Sequence, residues 1–256
     1  MTSPGGPAGT GTGPVMAGMA VVVGATGAVG SAVVRRLTAR GIPVLAVARS
    51  QDALHELAAA GHGITPCAAD IGQNACVEAI SSGLTGPVSI AVMAAGLPVR
   101  GSVDTIDPGL LAAGADIKIG GTVRLLHAVR GRLGRGSRFV AFAGTLGIEP
   151  RAHEAGPGAI NAGVLNLMRQ ISLIYGPQGV TVHTICPGPA DTPRLRLIAE
   201  AVVRVRPGDR PDRGDPRLLR VPAGPVAAAA GARRLRLRRP RLPPGVPRAA
   251  LAAGVP

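Results

Sequence analysis

The sequence contains very few aromatic side chains, and this shortage limits the functions open to the protein. Among 256 residues there are two Phe, one Tyr and no Trp. Proteins that bind RNA or single-stranded nucleic acid stack the bases on aromatic rings, and this sequence offers few. Because 46% of the residues are hydrophobic nonetheless, the core must consist of Val, Leu, Ile and Ala, a composition typical of buried parallel strands.

Lysine is almost absent as well, since Lys118 is the only one in the chain. Arginine therefore carries most of the formal net charge of +14. Residues 201–256 hold 13 Arg and 3 Asp, whereas residues 1–200 are nearly balanced, with 15 basic and 11 acidic side chains. The positive charge thus belongs mainly to the C-terminal segment, and nucleic acid is not an expected partner.

The sequence also lacks metal-ligand motifs and long apolar runs. Its three cysteines, Cys67, Cys76 and Cys186, are far apart, and we interpret them as small hydrophobic side chains in a reducing compartment. Residues 1–17 lack the basic start and apolar run of a signal peptide, and no stretch is long enough to span a membrane. We therefore expect a cytoplasmic protein with no metal and no membrane partner.

Strand-like and helix-like patterns alternate between residues 18 and 195, which predicts right-handed crossovers and a parallel sheet. The fold class is α/β, a Rossmann-type doubly wound parallel sheet flanked by helices, with an incomplete or disordered C-terminal end. We expect a flexible segment at 1–17, a nucleotide-binding domain at 18–195 and a tail at 196–256. Strands are predicted at 20–23, 44–47, 63–69, 88–93, 138–142 and 180–185, and helices at 31–40, 52–60, 74–84, 108–131 and 159–175.

The tail at 196–256 is rich in Arg and Pro. Ten prolines lie between residues 201 and 256, and proline at this density interrupts helices and central strands alike. Two interpretations stay open: a disordered tail, or the out-of-frame translation of a GC-rich gene. Translating the gene in its other two frames distinguishes them.

A glycine-rich turn follows the first predicted strand and opens a helix. It comprises Gly24, Thr26, Gly27, Ala28, Val29 and Gly30, with Ala25 between them. Glycines at this spacing let the backbone approach a pyrophosphate, and the helix N-terminus presents N–H groups to the anion. The alternative is a glycine-rich turn without a ligand.

The residues at the end of the second strand indicate whether NAD or NADP is the preferred cofactor. An acidic residue there would bind the ribose hydroxyls of NAD, but this chain has Arg49 and Ser50. A guanidinium pairs well with a 2′-phosphate. The sequence therefore favours NADP (NADPH) over NAD, and the alternative for Arg49 is a solvated surface charge.

Taken together, these residues resemble the short-chain dehydrogenases/reductases over about residues 18–195. The landmarks are the glycine turn, Asp70-Ile71 after the third strand, Ala94-Ala95-Gly96 after the fourth and the stretch from Pro187-Gly188 to Thr192 after the sixth. The resemblance implies that Asp70 and Ile71 flank the adenine and that Ala95 and Gly96 pass the ribose. It also implies that Thr192 contacts the nicotinamide or the phosphates.

The catalytic positions of that family are altered. Aligning the fifth strand and the following helix places the family's Asn at Lys118, its Ser at Gly144, its Tyr at Pro157 and its Lys at Asn161. No catalytic residue is therefore assigned. Tyr175 falls near the end of the long helix and is no substitute for the missing tyrosine.

Two functional hypotheses follow from this resemblance. The first is an atypical NADP-dependent carbonyl reductase with a small-molecule substrate. The second is a non-catalytic NADP-binding pseudoenzyme that acts as a sensor or scaffold. By resemblance, the long helices at 108–131 and 159–175 would pair with a second subunit, so a homodimer or homotetramer is expected.

Overall fold

The computed structural model describes residues 17–188, and within them a six-stranded parallel sheet is flanked by helices on both faces. The strand order is β3-β2-β1-β4-β5-β6, with every neighbouring pair parallel. This order confirms the predicted doubly wound sheet. The strands are β1 (Met19–Val23), β2 (Val44–Ala48), β3 (Ile64–Ala68), β4 (Val88–Met93), β5 (Arg138–Phe142) and β6 (Thr181–Ile185).

The helices cover the two faces of the sheet in two groups. They are α1 (Ala28–Thr38), α2 (Gln51–Ala59), α3 (Cys76–Ser82), α4 (Pro108–Ala115), α5 (Gly121–Val129) and α6 (Ala155–Tyr175). Strand β1 is buried throughout and contributes to both sides, because alternate residues of a strand point to opposite faces. Val21 packs in the cluster that contains residues of α3, α5 and α6, whereas Val22 packs in the cluster that contains residues of α1 and α2.

Four helix predictions are wrong in detail. Helix α1 is Ala28–Thr38 rather than 31–40, and α3 is Cys76–Ser82 rather than 74–84. The other two differences concern the candidate site. Helix α6 begins at Ala155 rather than 159, because Pro157 falls in the first turn, where the backbone needs no N–H donor. The helix predicted at 108–131 is not uniformly α-helical, since Asp116–Gly120 form a π-helical turn between α4 and α5. Such turns are rare and frequently lie at functional sites.

The segment predicted at 1–17, apart from residue 17, and the tail predicted at 196–256 lie outside the described residues, as does Thr192. The domain boundary at 195 therefore stays a prediction. Between residues 17 and 188, no helix combines the length and the apolarity that crossing a bilayer requires.

Candidate functional site

The glycine turn joins β1 to α1 at the carboxyl edge of the sheet. Gly24 has a φ of +79°, and a Cβ there would lie 2.7 Å from the amide nitrogen of Ala95. A Cβ at Gly30 would overlap the carbonyl oxygen of Gly24. Glycine is therefore required at both positions, because any side chain would collide with neighbouring backbone atoms.

Helix α1 begins at the exposed side of this turn. Its N-cap is Gly27, whose amide donates to the Gly24 carbonyl at 3.0 Å. The first turn of the helix contains no acidic residue, and Thr26, Gly27 and Ala28 are exposed, while Val29 is half-buried. The helix N-terminus therefore presents a partial positive charge that no neighbouring carboxylate in that turn offsets, which suits a phosphate.

Arg49 and Ser50 follow β2 beside the turn and are both exposed. The Ser50 hydroxyl oxygen accepts a hydrogen bond from the amide of Ala53 at 3.2 Å and so caps helix α2. Ser50 therefore has a structural role in addition to the predicted one. Its hydroxyl hydrogen remains a donor that a phosphate oxygen can accept.

Asp70 and Ile71 follow β3, at the same edge of the sheet. The Asp70 carboxylate is exposed and accepts a hydrogen bond from the amide of Gly72 at 2.9 Å. Helix α3 begins only at Cys76, so Asp70 is not its N-cap. The Ile71 side chain is buried in the core, and only its backbone can therefore contact a ligand.

Residues 94–96 extend β4 past the glycine turn. The amide of Ala94 donates to the Val23 carbonyl at 2.9 Å, which continues the pairing of β1 with β4. Gly96 is exposed, and a Cβ there would have no heavy atom within 4 Å. The structure thus brings the Gly24–Gly30 turn and the Ala94-Ala95-Gly96 segment side by side, as the sequence motifs predict.

Pro187 and Gly188 are exposed and lie at the end of the described chain. The Pro187 carbonyl accepts a hydrogen bond from the amide of Thr145 at 3.3 Å. The loop after β6 therefore meets the loop after β5, next to the position of Gly144.

Lys118 and Asn161 are hydrogen-bonded to each other. The Lys118 ammonium donates to the side-chain oxygen of Asn161 at 2.6 Å and to the Ala143 carbonyl at 3.2 Å. Lys118 sits on the π turn, and Asn161 is buried on α6, with 6% exposure. Sequence reasoning treated the two positions as separate losses. The overlooked signal is an exchange of residue types. Position 118 carries the Lys expected at 161, and position 161 carries the Asn expected at 118.

Gly144 packs directly against this pair. A Cβ at Gly144 would lie 2.7 Å from the side-chain nitrogen of Asn161. Any side chain at position 144 would therefore require Asn161 to move. The altered residues at 118, 144 and 161 form one packed unit.

A cavity of about 140 Å³ opens beside this unit. Its lining includes Lys118, Asn161 and Pro157, together with residues of the loop that follows Gly96. Two further charged side chains, Arg100 and Glu154, line it as well. Of the four altered catalytic positions, Gly144 alone does not line the cavity.

Tyr175, the only tyrosine of the chain, lies at the last residue of α6. It lies eighteen positions after Pro157 on the same helix, which corresponds to roughly 27 Å along the helix axis. The prediction that Tyr175 cannot replace a tyrosine at position 157 agrees with this separation. Within the described residues, no group of three or more His, Cys, Asp and Glu side chains is placed to bind a metal.

The fold and the glycine turn define a dinucleotide-binding α/β domain. Residues 18–202 match the sequence model of the short chain dehydrogenases. The chain belongs to the short-chain dehydrogenase/reductase family, whose members are oxidoreductases that use NAD or NADP.

Relatives of known name agree with this assignment. The chain is 30% identical over 200 residues to the short-chain reductase protein NovJ of Streptomyces niveus, a match that covers 71% of this chain and 72% of NovJ. It is 27% identical over 196 residues to an acetoacetyl-CoA reductase of Shinella zoogloeoides, covering 75% and 81% of the two chains.

A solved structure shows the same fold. The L-sorbose reductase of Gluconobacter frateurii, crystallised with NADPH and L-sorbose, superposes with a TM-score of 0.68. The two chains are 21% identical, and the match covers 76% of this chain and 78% of the reductase.

Proposed function

We propose that this protein is an NADP-dependent oxidoreductase that reduces the carbonyl group of a small molecule. The observation that carries the proposal is the juxtaposition of an intact dinucleotide cradle, Gly24–Gly30 with Ala94-Ala95-Gly96, and a cavity beginning at Leu97. A cofactor in the cradle would lie next to whatever fills the cavity. Two of the named relatives are reductases of carbonyl compounds, and one of these was crystallised with NADPH.

The residues of the cradle fit a dinucleotide phosphate. The N-terminus of α1 would bind the pyrophosphate through the amides of Ala28 and Val29, because the first N–H groups of a helix have no carbonyl partner within it. Arg49 and Ser50 would bind the 2′-phosphate of NADP, the guanidinium through its charge and the hydroxyl through its remaining hydrogen. Asp70 and the Ile71 backbone would contact the adenine, and Pro187, Gly188 and Thr192 would contact the nicotinamide end.

The reaction assigned here does not use the family's tyrosine. Gly144 and Pro157 carry no side-chain acid, so the protein cannot donate a proton from those positions. A reductase of this kind suits substrates whose oxyanion product takes its proton from water. Hydride addition gives such a phenolate from a quinone and such an alkoxide from an aromatic ketone. Positioning the carbonyl against the hydride donor supplies much of the rate.

The experiment is an NADPH titration followed by turnover. Binding is measured by the change in NADPH fluorescence, and the loss of NADPH absorbance is then followed with a panel of quinones and aromatic ketones. Consumption of NADPH that depends on both protein and ketone supports the reductase. Absence of NADPH binding contradicts the proposal.

The second candidate is a non-catalytic NADP-binding protein that senses the cofactor or acts as a scaffold. It is favoured by the position of Tyr175, which leaves the chain without a tyrosine at the cavity. Tight NADPH binding without turnover of any ketone in the panel supports this candidate over the reductase.

We also propose that the protein forms a homodimer or homotetramer in the cytoplasm. Leu173 and Ile174 on α6 are 77% and 63% exposed, which is unusual for neighbouring large apolar residues and suits a subunit contact. The three cysteines are unpaired, as expected in a reducing compartment. Light scattering on the wild type and on Leu173→Glu tests the contact, which the added charge would weaken.

A further inference from the structure

Val99 anchors the loop after β4 to the helices α4 and α6. Its side chain is buried and occupies space that two glycines leave open. A Cβ at Gly114 would collide with Val99, and a Cβ at Gly156 would lie 2.5 Å from its Cγ1 atom. The Gly101 carbonyl also accepts a hydrogen bond from the amide of Ala155 at 3.0 Å. The backbone on this side of the cavity is therefore fixed in place.

Arg100 and Glu154 form a charged rim on this fixed backbone. Both line the cavity, and a parallel bridge between Gly101 and Glu154 joins the two segments that carry them. Within residues 17–188, neither side chain makes a hydrogen bond or an ion pair, and the Glu154 carboxylate does not cap α6. Lys118, in contrast, is bonded within the protein. The hydrogen-bonding capacity of the rim is therefore available to a ligand.

The rest of the cavity matches a small ring. Its volume of about 140 Å³ is close to the ~150 Å³ at which an apolar cavity binds benzene. Val99 and Ile160 are buried and form part of its apolar wall, together with Pro157. A ring can therefore pack on the apolar wall while one of its substituents meets the charged rim.

We propose that Arg100 and Glu154 select substrates with a neutral substituent that both accepts and donates hydrogen bonds, a carboxamide being the simplest. This inference rests on the proposed function, because it takes the cavity as the substrate site. The Arg100 guanidinium would donate to the amide oxygen, and the Glu154 carboxylate would accept from the amide N–H. Both residues determine specificity, and neither takes part in the transfer of hydride.

The opposite charges of the rim disfavour an ionic substituent. A carboxylate at this place would be attracted by Arg100 and repelled by Glu154, and an ammonium group would meet the reverse. Glu154 is half-buried, so its charge is screened less than that of a fully exposed carboxylate. A carboxamide avoids both repulsions and still forms a hydrogen bond with each charged group.

Calorimetry with benzamide, benzoate and benzylammonium tests the selection without requiring any turnover. We expect the wild type to bind benzamide about tenfold more tightly than either ion. Glu154→Met should weaken benzamide binding and strengthen benzoate binding, because a repulsion is removed. Arg100→Met should weaken benzamide binding and strengthen benzylammonium binding. A gain of affinity for one ion cannot result from misfolding. Glu56→Met and Arg36→Met, at exposed positions on α2 and α1, are the controls and should change nothing.

Each titration is made with and without NADPH, so that the two proposals can fail separately. If NADPH does not bind, the reductase fails, and the benzamide titration without cofactor still reports on the charged rim. If the wild type binds NADPH but not benzamide, the inference alone fails. Tighter binding of benzoate or benzylammonium than of benzamide by the wild type overturns it. An unchanged preference among the three probes in Arg100→Met and Glu154→Met overturns it too.

Discussion

The Nη2 atom of Arg124 lies 2.8 Å from Oδ1 of Asp116, and this ion pair joins helix α5 to the π turn. The same guanidinium donates to the side-chain oxygen of Asn74 at 2.8 Å and to the Ile71 carbonyl at 3.1 Å. Arg124 thus connects the loop proposed to bind the adenine with the turn that carries Lys118. One side chain therefore contacts both the adenine end and the cavity end of the candidate site.

Replacing Arg124 by Met should lower the free energy of unfolding by about 1–3 kcal/mol, because several hydrogen bonds to a charged group are lost together. The Arg124 side chain is only 16% exposed, so water cannot fully replace these partners. Urea unfolding measures the change. We also expect weaker NADPH binding, since the loop at residues 70–74 loses its anchor.

The matched control is Asp116→Asn. The Asp116 side chain is 47% exposed, and an amide oxygen still accepts the hydrogen bond, so the cost should stay below about 1 kcal/mol. If Asp116→Asn destabilises the protein as much as Arg124→Met does, the ion pair rather than the whole network is responsible, and this prediction is wrong.

Gly144→Ser should be destabilising, and the cost should depend on Asn161. The new Cβ would lie 2.7 Å from the Asn161 amide nitrogen, and overpacking of this kind costs about 1–3 kcal/mol. In an Asn161→Ala background the obstacle is absent, so the same substitution should cost much less. A double-mutant cycle by urea unfolding measures the coupling. Additive effects at the two positions would show that they do not form one packed unit.

The sheet and its order could be predicted from the sequence because alternating apolar runs and turn residues mark parallel strands locally. The glycine turn could also be predicted, because Gly24, Gly27 and Gly30 follow an apolar run and precede a helical pattern. The Lys118–Asn161 bond was not. It joins residues 43 positions apart, and only the packing of α6 against the π turn brings them together.

The π turn itself also escaped prediction. Residues 108–131 have an uninterrupted helical pattern, and the additional residue of a π turn leaves no clear mark in hydrophobic periodicity. The predicted start of α6 at 159 is four residues late, because the apolar pattern alone does not mark the first helical turn. Proline is tolerated in a first helical turn, where the N–H groups have no intrahelical partner.

Arg49 should determine the preference for NADP. Arg49→Ala should weaken NADPH binding by about tenfold to a hundredfold and leave NADH binding unchanged, because only NADPH carries the 2′-phosphate. Arg36→Ala, at another exposed arginine, is the control. Fluorescence titration with both cofactors measures the ratio. An equal loss for NADPH and NADH would assign Arg49 a role other than recognition of that phosphate.

The thiols of Cys67 and Cys76 should react slowly with alkylating reagents. Burial raises the pKa of both thiols above the usual value, so a smaller fraction is thiolate at neutral pH. Since the thiolate is the nucleophile, the alkylation rate should still be rising at pH values where an ordinary thiol has reached its plateau. Iodoacetamide labelling read by mass spectrometry gives the rates. A plateau at the pH of a free cysteine would contradict the prediction.

Calorimetric titration of the wild type and Gly30→Ala with NADPH tests whether the glycine turn binds the dinucleotide. A Cβ at Gly30 overlaps the Gly24 carbonyl oxygen, whereas a Cβ at Gly86 meets no atom within 4 Å, so Gly86→Ala is the matched control. We expect saturable NADPH binding by the wild type and Gly86→Ala, and loss of binding in a folded Gly30→Ala protein. NADPH binding that survives in Gly30→Ala, or that is absent from the wild type, would contradict it.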